Sequence, residues 1–199
     1  MKRVSVIANS CIAFVLVGLA VVVFSADLSG VFLTVSAPMR NGHRDRNAVA
    51  MMVVVDGGGA QIESLMNTLA ERGAAATFFV NDAFALRNMN MVRQIAVHNE
   101  IGNAGANIGD THTILYGILG ARTTLFTPPN GSYTRGTLRT AESMGYTTIM
   151  WSRTIEQWQA VMAGDIIKIS PSEVAILPQI LDDFLTRGLS VQSVSAVIG

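Results

Sequence analysis

Three acids, Asp56, Glu100 and Glu156, are of the type that proton-transfer chemistry needs. Asp56 closes the apolar run Ala48 to Val55 and opens Gly57-Gly58-Gly59. A carboxylate at such a strand end can serve as a general base, but an Asp ahead of a glycine loop also accepts hydrogen bonds from local backbone N–H groups. The turn role is the weightier reading. The glycine triplet could cradle a phosphate, yet it lacks the lysine and the spacing of a P-loop and reads as a flexible loop. Trp151 and Trp158 offer flat faces that suit the rim of a sugar groove, and core or interface packing would use them equally well. No cluster of His, Asp and Glu has ligand spacing, and His98 and His112 read as surface or loop residues. Cys11 is the only cysteine, which excludes an internal disulfide and a cysteine-rich metal site. No metal and no cofactor is expected.

The elements that must position these residues alternate in type. Ala48 to Val55 is a buried strand, and Ile62, Leu65, Met66 and Leu69 set a helical stripe that Gly73 stops. Ala75 to Val80 is the next strand, and Val92, Ile95 and Ala96 mark another helical face. The pattern repeats with a helix over Thr111 to Ala121, a strand over Thr124 to Thr127 and a helix over Thr134 to Met144. Strands over Tyr146 to Trp151 and Asp165 to Ile169 follow. Ser170-Pro171-Ser172-Glu173 has the form of a capping box, Pro178 is placed to restart the helix, and Leu177, Ile180, Leu181, Phe184 and Leu185 form its buried stripe. Such alternation predicts a parallel sheet, open or closed as a barrel, with functional loops at the strand C-termini.

The chain has 199 residues, 14 basic against 14 acidic, and is half apolar. Zero net charge gives no electrostatic case for nucleic-acid binding. The oiliness gathers at the start, where Lys2 and Arg3 precede an apolar run from Cys11 to Phe24 and no further charge occurs until Asp27. Residues 1–26 therefore read as a signal anchor that leaves the remainder outside the cytoplasm, bulky Phe24 opposing a cut, or as a signal peptide if Val23 and Ser25 serve as the small residues before cleavage and secretion. Residues 27–47 read as a juxtamembrane stalk and residues 48–199 as one domain.

Across Ala48 to Gly199 the order of short motifs resembles the polysaccharide deacetylase family, the NodB-homology domain of carbohydrate esterases. The resemblance rests on Val54-Val55-Asp56, Ala76-Thr77-Phe78-Phe79-Val80, Glu100-Ile101-Gly102-Asn103, Pro128-Pro129-Asn130-Gly131, Gly145-Tyr146 with Trp151-Ser152, and Gly164-Asp165-Ile166-Ile167. Leu177-Pro178 and Gly188-Leu189-Ser190-Val191 close the series. The anchored layout is most similar to the sporulation-associated branch. The resemblance implies an α/β fold: a parallel-stranded, distorted and shortened (β/α) barrel behind an N-terminal membrane helix.

It also implies chemistry that this chain has largely lost. The family holds a divalent metal with one Asp and two His and uses a second Asp as base. Here Asp56 matches the base and Gly57 replaces the metal-binding Asp, or a one-residue slip makes Asp56 the ligand. The two imidazoles fall at Ala104 and Ile108. Thr127 stands for an arginine, Asn130 for a tyrosine whose backbone N–H helps hold the oxyanion, and Ser170 for a late histidine; Trp151 to Trp158 lacks both expected acids. The segments between Ile108 and Phe126 and between Trp158 and Gly164 are too short for the family's usual helices. The expectation is a pseudoenzyme, with Asp56 a vestigial base and Pro129, Asn130, Trp151 and Trp158 lining a shallow cleft for a cell-envelope glycan, or else binding an envelope protein. The alternative is an active N-deacetylase with a rearranged site built on Asp56, Glu100 or Glu156.

Overall fold

A computed structural model describes residues 35–55 and 59–199. The membrane-directed segment, the start of the stalk and Asp56-Gly57-Gly58 lie outside the described residues. No helix among the described residues is long and apolar enough to cross a membrane.

Eight strands, all parallel, form one sheet: β1 (Ala48–Val54), β2 (Thr77–Val80), β3 (Glu100–Asn103), β4 (Leu125–Phe126), β5 (Thr147–Thr148), β6 (Arg153–Thr154), β7 (Ile166–Ile169) and β8 (Ser190–Gln192). Their order is β5-β4-β3-β2-β1-β7-β6, with β8 beside the start of β1. The sheet curls into a half-barrel, the arrangement expected from the sequence.

The two-residue period of β1 explains the layers. Ala48, Ala50 and Met52 face an inner cluster with Phe79, Leu125, Ile149 and Ile166, whereas Val49, Met51 and Val53 face an outer cluster under the helices. Around that outer face lie α1 (Gly59–Glu71), α2 (Asp82–Arg87), α3 (Met89–Ile95), α4 (Ile108–Leu119), α5 (Arg135–Ser143) and α6 (Leu177–Thr186). The short α7 (Val194–Ile198) instead buries Val194 and Val197 in the inner cluster.

Local chemistry sets most boundaries. Asn81, Asn107 and Thr134 cap α2, α4 and α5 by accepting N–H bonds from Phe84, Asp110 and Thr137. The Ser170–Glu173 box is formed, but it opens a 3-10 turn over Pro171–Ile176; α6 begins afresh with Pro178 in its first turn. Leu185, expected in the buried stripe, is 73% exposed, because Leu177, Ile180, Leu181 and Phe184 already span the buried face. The segment thought too short for a helix before Phe126 does carry α4, whereas only a 3-10 turn, Ile155–Ala160, precedes β7.

The strand expected over Tyr146 to Trp151 is reduced to β5, and residues from before β1 take up its edge. Met39 donates its N–H to the Thr148 carbonyl (2.9 Å) and accepts the Met150 N–H (2.8 Å), and Gly42 N–H reaches the Gly164 carbonyl (2.7 Å). Residues 39–42 thus lie between β5 and the start of β7, and the last part of the segment read as a stalk is hydrogen-bonded into the domain.

Candidate functional site

The strand C-termini form the mouth of the half-barrel. Ala104 continues the inner face of β3 and is 8% exposed in the inner cluster. Thr127 follows β4 and is 1% exposed, its hydroxyl without a hydrogen-bond partner among the described residues. Trp151 is half-buried against the same inner cluster.

Trp151 is held on three sides. Its indole edge rests on Gly131, where φ is +71° and a Cβ would lie 2.6 Å from the ring, so both the backbone angle and the space require glycine. The Lys168 ammonium sits 4.5 Å from the ring centroid. Arg40 Nη1 donates to the Trp151 carbonyl at 3.3 Å. Asn130, exposed and at φ +55°, and Pro129 belong to the same turn as Gly131. Of the four residues expected to line a cleft, Pro129, Asn130 and Trp151 therefore come together.

Trp158 does not join them. It packs against the outer cluster, and its carbonyl accepts bonds from Val161 N–H (3.2 Å) and Arg187 Nη1 (3.4 Å). The odd spacing from the mouth across a 3-10 turn sends it to the helical side of the sheet.

A cavity of about 290 Å³ is lined by Thr154, Glu156, Lys168, Ser170, Ser172 and Glu173. Glu156 is exposed, and its carboxyl is held below the usual range, first by a hydrogen bond from the Thr154 side chain and then by a backbone N–H; a hydrogen bond with the Glu173 carboxyl and the charge of Lys168 add smaller shares. Glu173 accepts the Ser170 N–H at 2.6 Å. Lys168 was not foreseen as a site residue, although its place was legible: Ile167 and Ile169 face outward and Ile166 inward, so Lys168 falls on the inner row of β7.

Glu100 lies at the opposite, N-terminal end of the strands. Its carboxylate accepts Thr77 Oγ1–H (2.5 Å), Ser195 N–H (3.2 Å) and the Ser195 hydroxyl, tying α7 under the barrel. It takes no part in the mouth. His112 is not the surface residue expected: half-buried on α4, its Nδ1 lies 2.7 Å from the hydroxyl of Tyr146, which also meets Thr123 Oγ1 (2.9 Å) and Asn103 Nδ2 (3.3 Å). His98 and His43 are exposed.

The described residues do not fit a divalent metal. Ala104 and Ile108 have no donor atom and are buried, Ile108 with Phe126, Ala141 and Tyr146. Among the described residues no group of three His, Cys, Asp or Glu side chains could hold an ion. Asp56 lies outside the described residues.

The fold is that of the family 4 carbohydrate esterases, the class of the polysaccharide deacetylases. The family 4 pseudoenzyme from Bacillus anthracis superimposes with a TM-score of 0.76 over 82% of this chain and 69% of its own, at 18% identity. The family 4 carbohydrate esterase PdaA of Bacillus subtilis gives 0.72 over 80% and 84%, at 16% identity. The peptidoglycan deacetylase PdaC of the same organism gives 0.67 over 78% and 91%, at 19% identity. By sequence the chain is 25% identical over 138 residues to the uncharacterized protein YlxY of Bacillus subtilis, covering 61% of this chain and 43% of that protein. It thus spans under half the length of that curated relative. No family model matches the chain.

Proposed function

We propose that this chain is a deacetylase-like pseudoenzyme that binds a cell-envelope glycan without hydrolysing it. The observation that carries the reading is the pair Ala104 and Ile108, apolar and buried where the resemblance calls for two imidazoles. Without them no set of three ligands forms among the described residues, and a catalytic zinc needs three. What supports a sugar as ligand is the half-buried Trp151, an aromatic face at the mouth packed on the Gly131 turn that also carries Pro129 and Asn130. Neighbours in fold support the class of ligand, since they include peptidoglycan deacetylases, and they supply a precedent for inactivity in a pseudoenzyme of which a mutant has restored enzymatic activity. Residues 1–26 anchor the domain on the extracytoplasmic face, a layout that fits the sporulation-associated branch of the family.

Two measurements test the reading: metal content of the purified protein after dialysis, and deacetylation of acetylated chito-oligosaccharide and peptidoglycan fragments. The expected result is no stoichiometric metal and no acetate released, with chemical-shift changes at Trp151 and Asn130 on adding glycan. Metal-dependent release of acetate would establish the alternative, an active N-deacetylase, which would have to run on Asp56 or Glu156.

A further inference from the structure

Residues 39–43 form a strap that ties the Trp151 side of the mouth to the start of β7. At one end the Met39 carbonyl accepts the Met150 N–H (2.8 Å) and Arg40 Nη1 donates to the Trp151 carbonyl (3.3 Å). At the other end Gly42 donates its N–H to the Gly164 carbonyl (2.7 Å), and His43 donates to the Val197 carbonyl of α7 (3.0 Å). That end fits closely. A Cβ on Gly42 would overlap the Val197 carbonyl, and one on Gly164 would come 2.8 Å from the Gly42 oxygen.

Backbone hydrogen bonds hold the strap, with little help from buried side chains. Met39, Arg40, Asn41 and His43 are all exposed, whereas every side chain of β1 from Ala48 to Val53 is buried. A segment with exposed hydrogen bonds and little apolar burial opens at a lower free energy than the sheet it lies on. Opening would free the Met150 N–H and the Trp151 carbonyl, leaving this stretch of backbone held on its far side by Ser152 N–H on the Ile166 carbonyl (2.9 Å).

We propose that the strap is a two-state device that regulates the Trp151 face: docked, it holds the ring in place for a glycan, and undocked, the mouth binds more weakly. The proposal rests on the glycan-binding reading above and adds its regulation. A ligand that favours the docked form must stabilise it, so a glycan at Trp151 protects the strap as far as Gly42 and His43 at its other end.

The test is hydrogen exchange, read by mass spectrometry on the full chain, with and without an N-acetylglucosamine oligosaccharide near saturation. Without sugar, the amides of residues 41–43 should exchange at least about tenfold faster than those of residues 50–53. With sugar they should slow by roughly two- to tenfold, the worth of the Trp151 contact that the undocked form gives up. Gly42→Ala, a change away from the mouth, should undock the strap and raise Kd by the same factor. Should that variant fail to fold, the wild-type exchange decides alone. Three results would overturn the proposal and leave glycan binding standing: exchange at residues 41–43 as slow as in β1, sugar binding that does not slow it, or a fast-exchanging Gly42→Ala strap with wild-type affinity. No binding of the sugar by the wild type would overturn both readings.

Discussion

Replacing Asp165 by alanine should destabilise the protein more than any change at the mouth. Asp165 is 2% exposed and directly precedes β7. It accepts bonds from Ser152 Oγ (3.0 Å), Arg153 Nε (3.3 Å) and Met162 N–H (2.9 Å), which pins the turn between β5 and β6 to the strand that β1 pairs with. Alanine would leave the Met162 N–H without its acceptor, while the Ser152 hydroxyl keeps its longer bond to the Ile166 carbonyl (3.3 Å). Arg153 is 31% exposed and recovers water, so its share is about 0–1 kcal/mol. The unpaired Met162 N–H costs about 1–3 kcal/mol, and the weakened Ser152 bonding about 1 kcal/mol. The sum is about 2–5 kcal/mol. Asp165→Asn keeps one acceptor and should cost about half as much, because it loses only the charge and one bond. Urea unfolding followed by circular dichroism reads the loss as a lower midpoint at unchanged slope. The melting temperature should fall by roughly 4–20 °C for Asp165→Ala. The reasoning fails if Asp165→Ala costs under about 1 kcal/mol, or if Asn is as damaging as Ala.

Tyr146→Phe should cost about 1–2 kcal/mol in the same assay, since it removes the hydroxyl shared by His112, Thr123 and Asn103. Trp158→Ala should lower stability by about 2–4 kcal/mol and leave glycan affinity alone, because Trp158 packs on the outer cluster. Trp151→Ala should weaken glycan binding by roughly two- to tenfold, the worth of one aromatic contact, in the NMR titration. The Glu156 carboxyl should titrate below the usual carboxylate range because Thr154 hydrogen-bonds its ionised form; that stabilisation is full above the usual range and is lost as pH falls through the lowered value. An NMR titration of Glu156 with a midpoint at or above the ordinary value would contradict the hydrogen bond to Thr154.

The parallel half-barrel was legible because its signals are local and strong. The buried run of β1, the Ile62–Leu65–Leu69 stripe, the Ser170–Glu173 box and Pro178 each act within a few residues, and each forms. What was not legible depends on partners distant in sequence. Nothing near Met39 or Gly42 announces that they fill the gap between Thr148 and Gly164, since an edge strand of so few residues carries no period. Glu100 looked available for chemistry, yet its partners are Thr77 and Ser195, and its end of the strand is the one away from the mouth. Trp158 shows the same limit: the two tryptophans are near in sequence, and a 3-10 turn between them places them in different clusters.

The replacements at the mouth are more than deletions of ligands. Ala104 joins Met52, Phe79 and Leu125 inside the barrel, and Ile108 joins Phe126, Ala141 and Tyr146 outside it, so both positions that would hold imidazoles now contribute to hydrophobic clusters. Catalytic sites hold polar groups at some cost in stability, and losing them releases that cost. A buried Ile gains about 1.5–3 kcal/mol over an exposed one, and an imidazole put back in its place would need a partner or pay for desolvation. Polar side chains lie instead along β7 and the turn beyond it, at Lys168, Ser170 and Glu173, which are part-buried. Apolar packing at Ala104 and Ile108 and polar side chains at the rim thus adjoin in one half-barrel, and among the described residues the mouth is held by side-chain packing and hydrogen bonds.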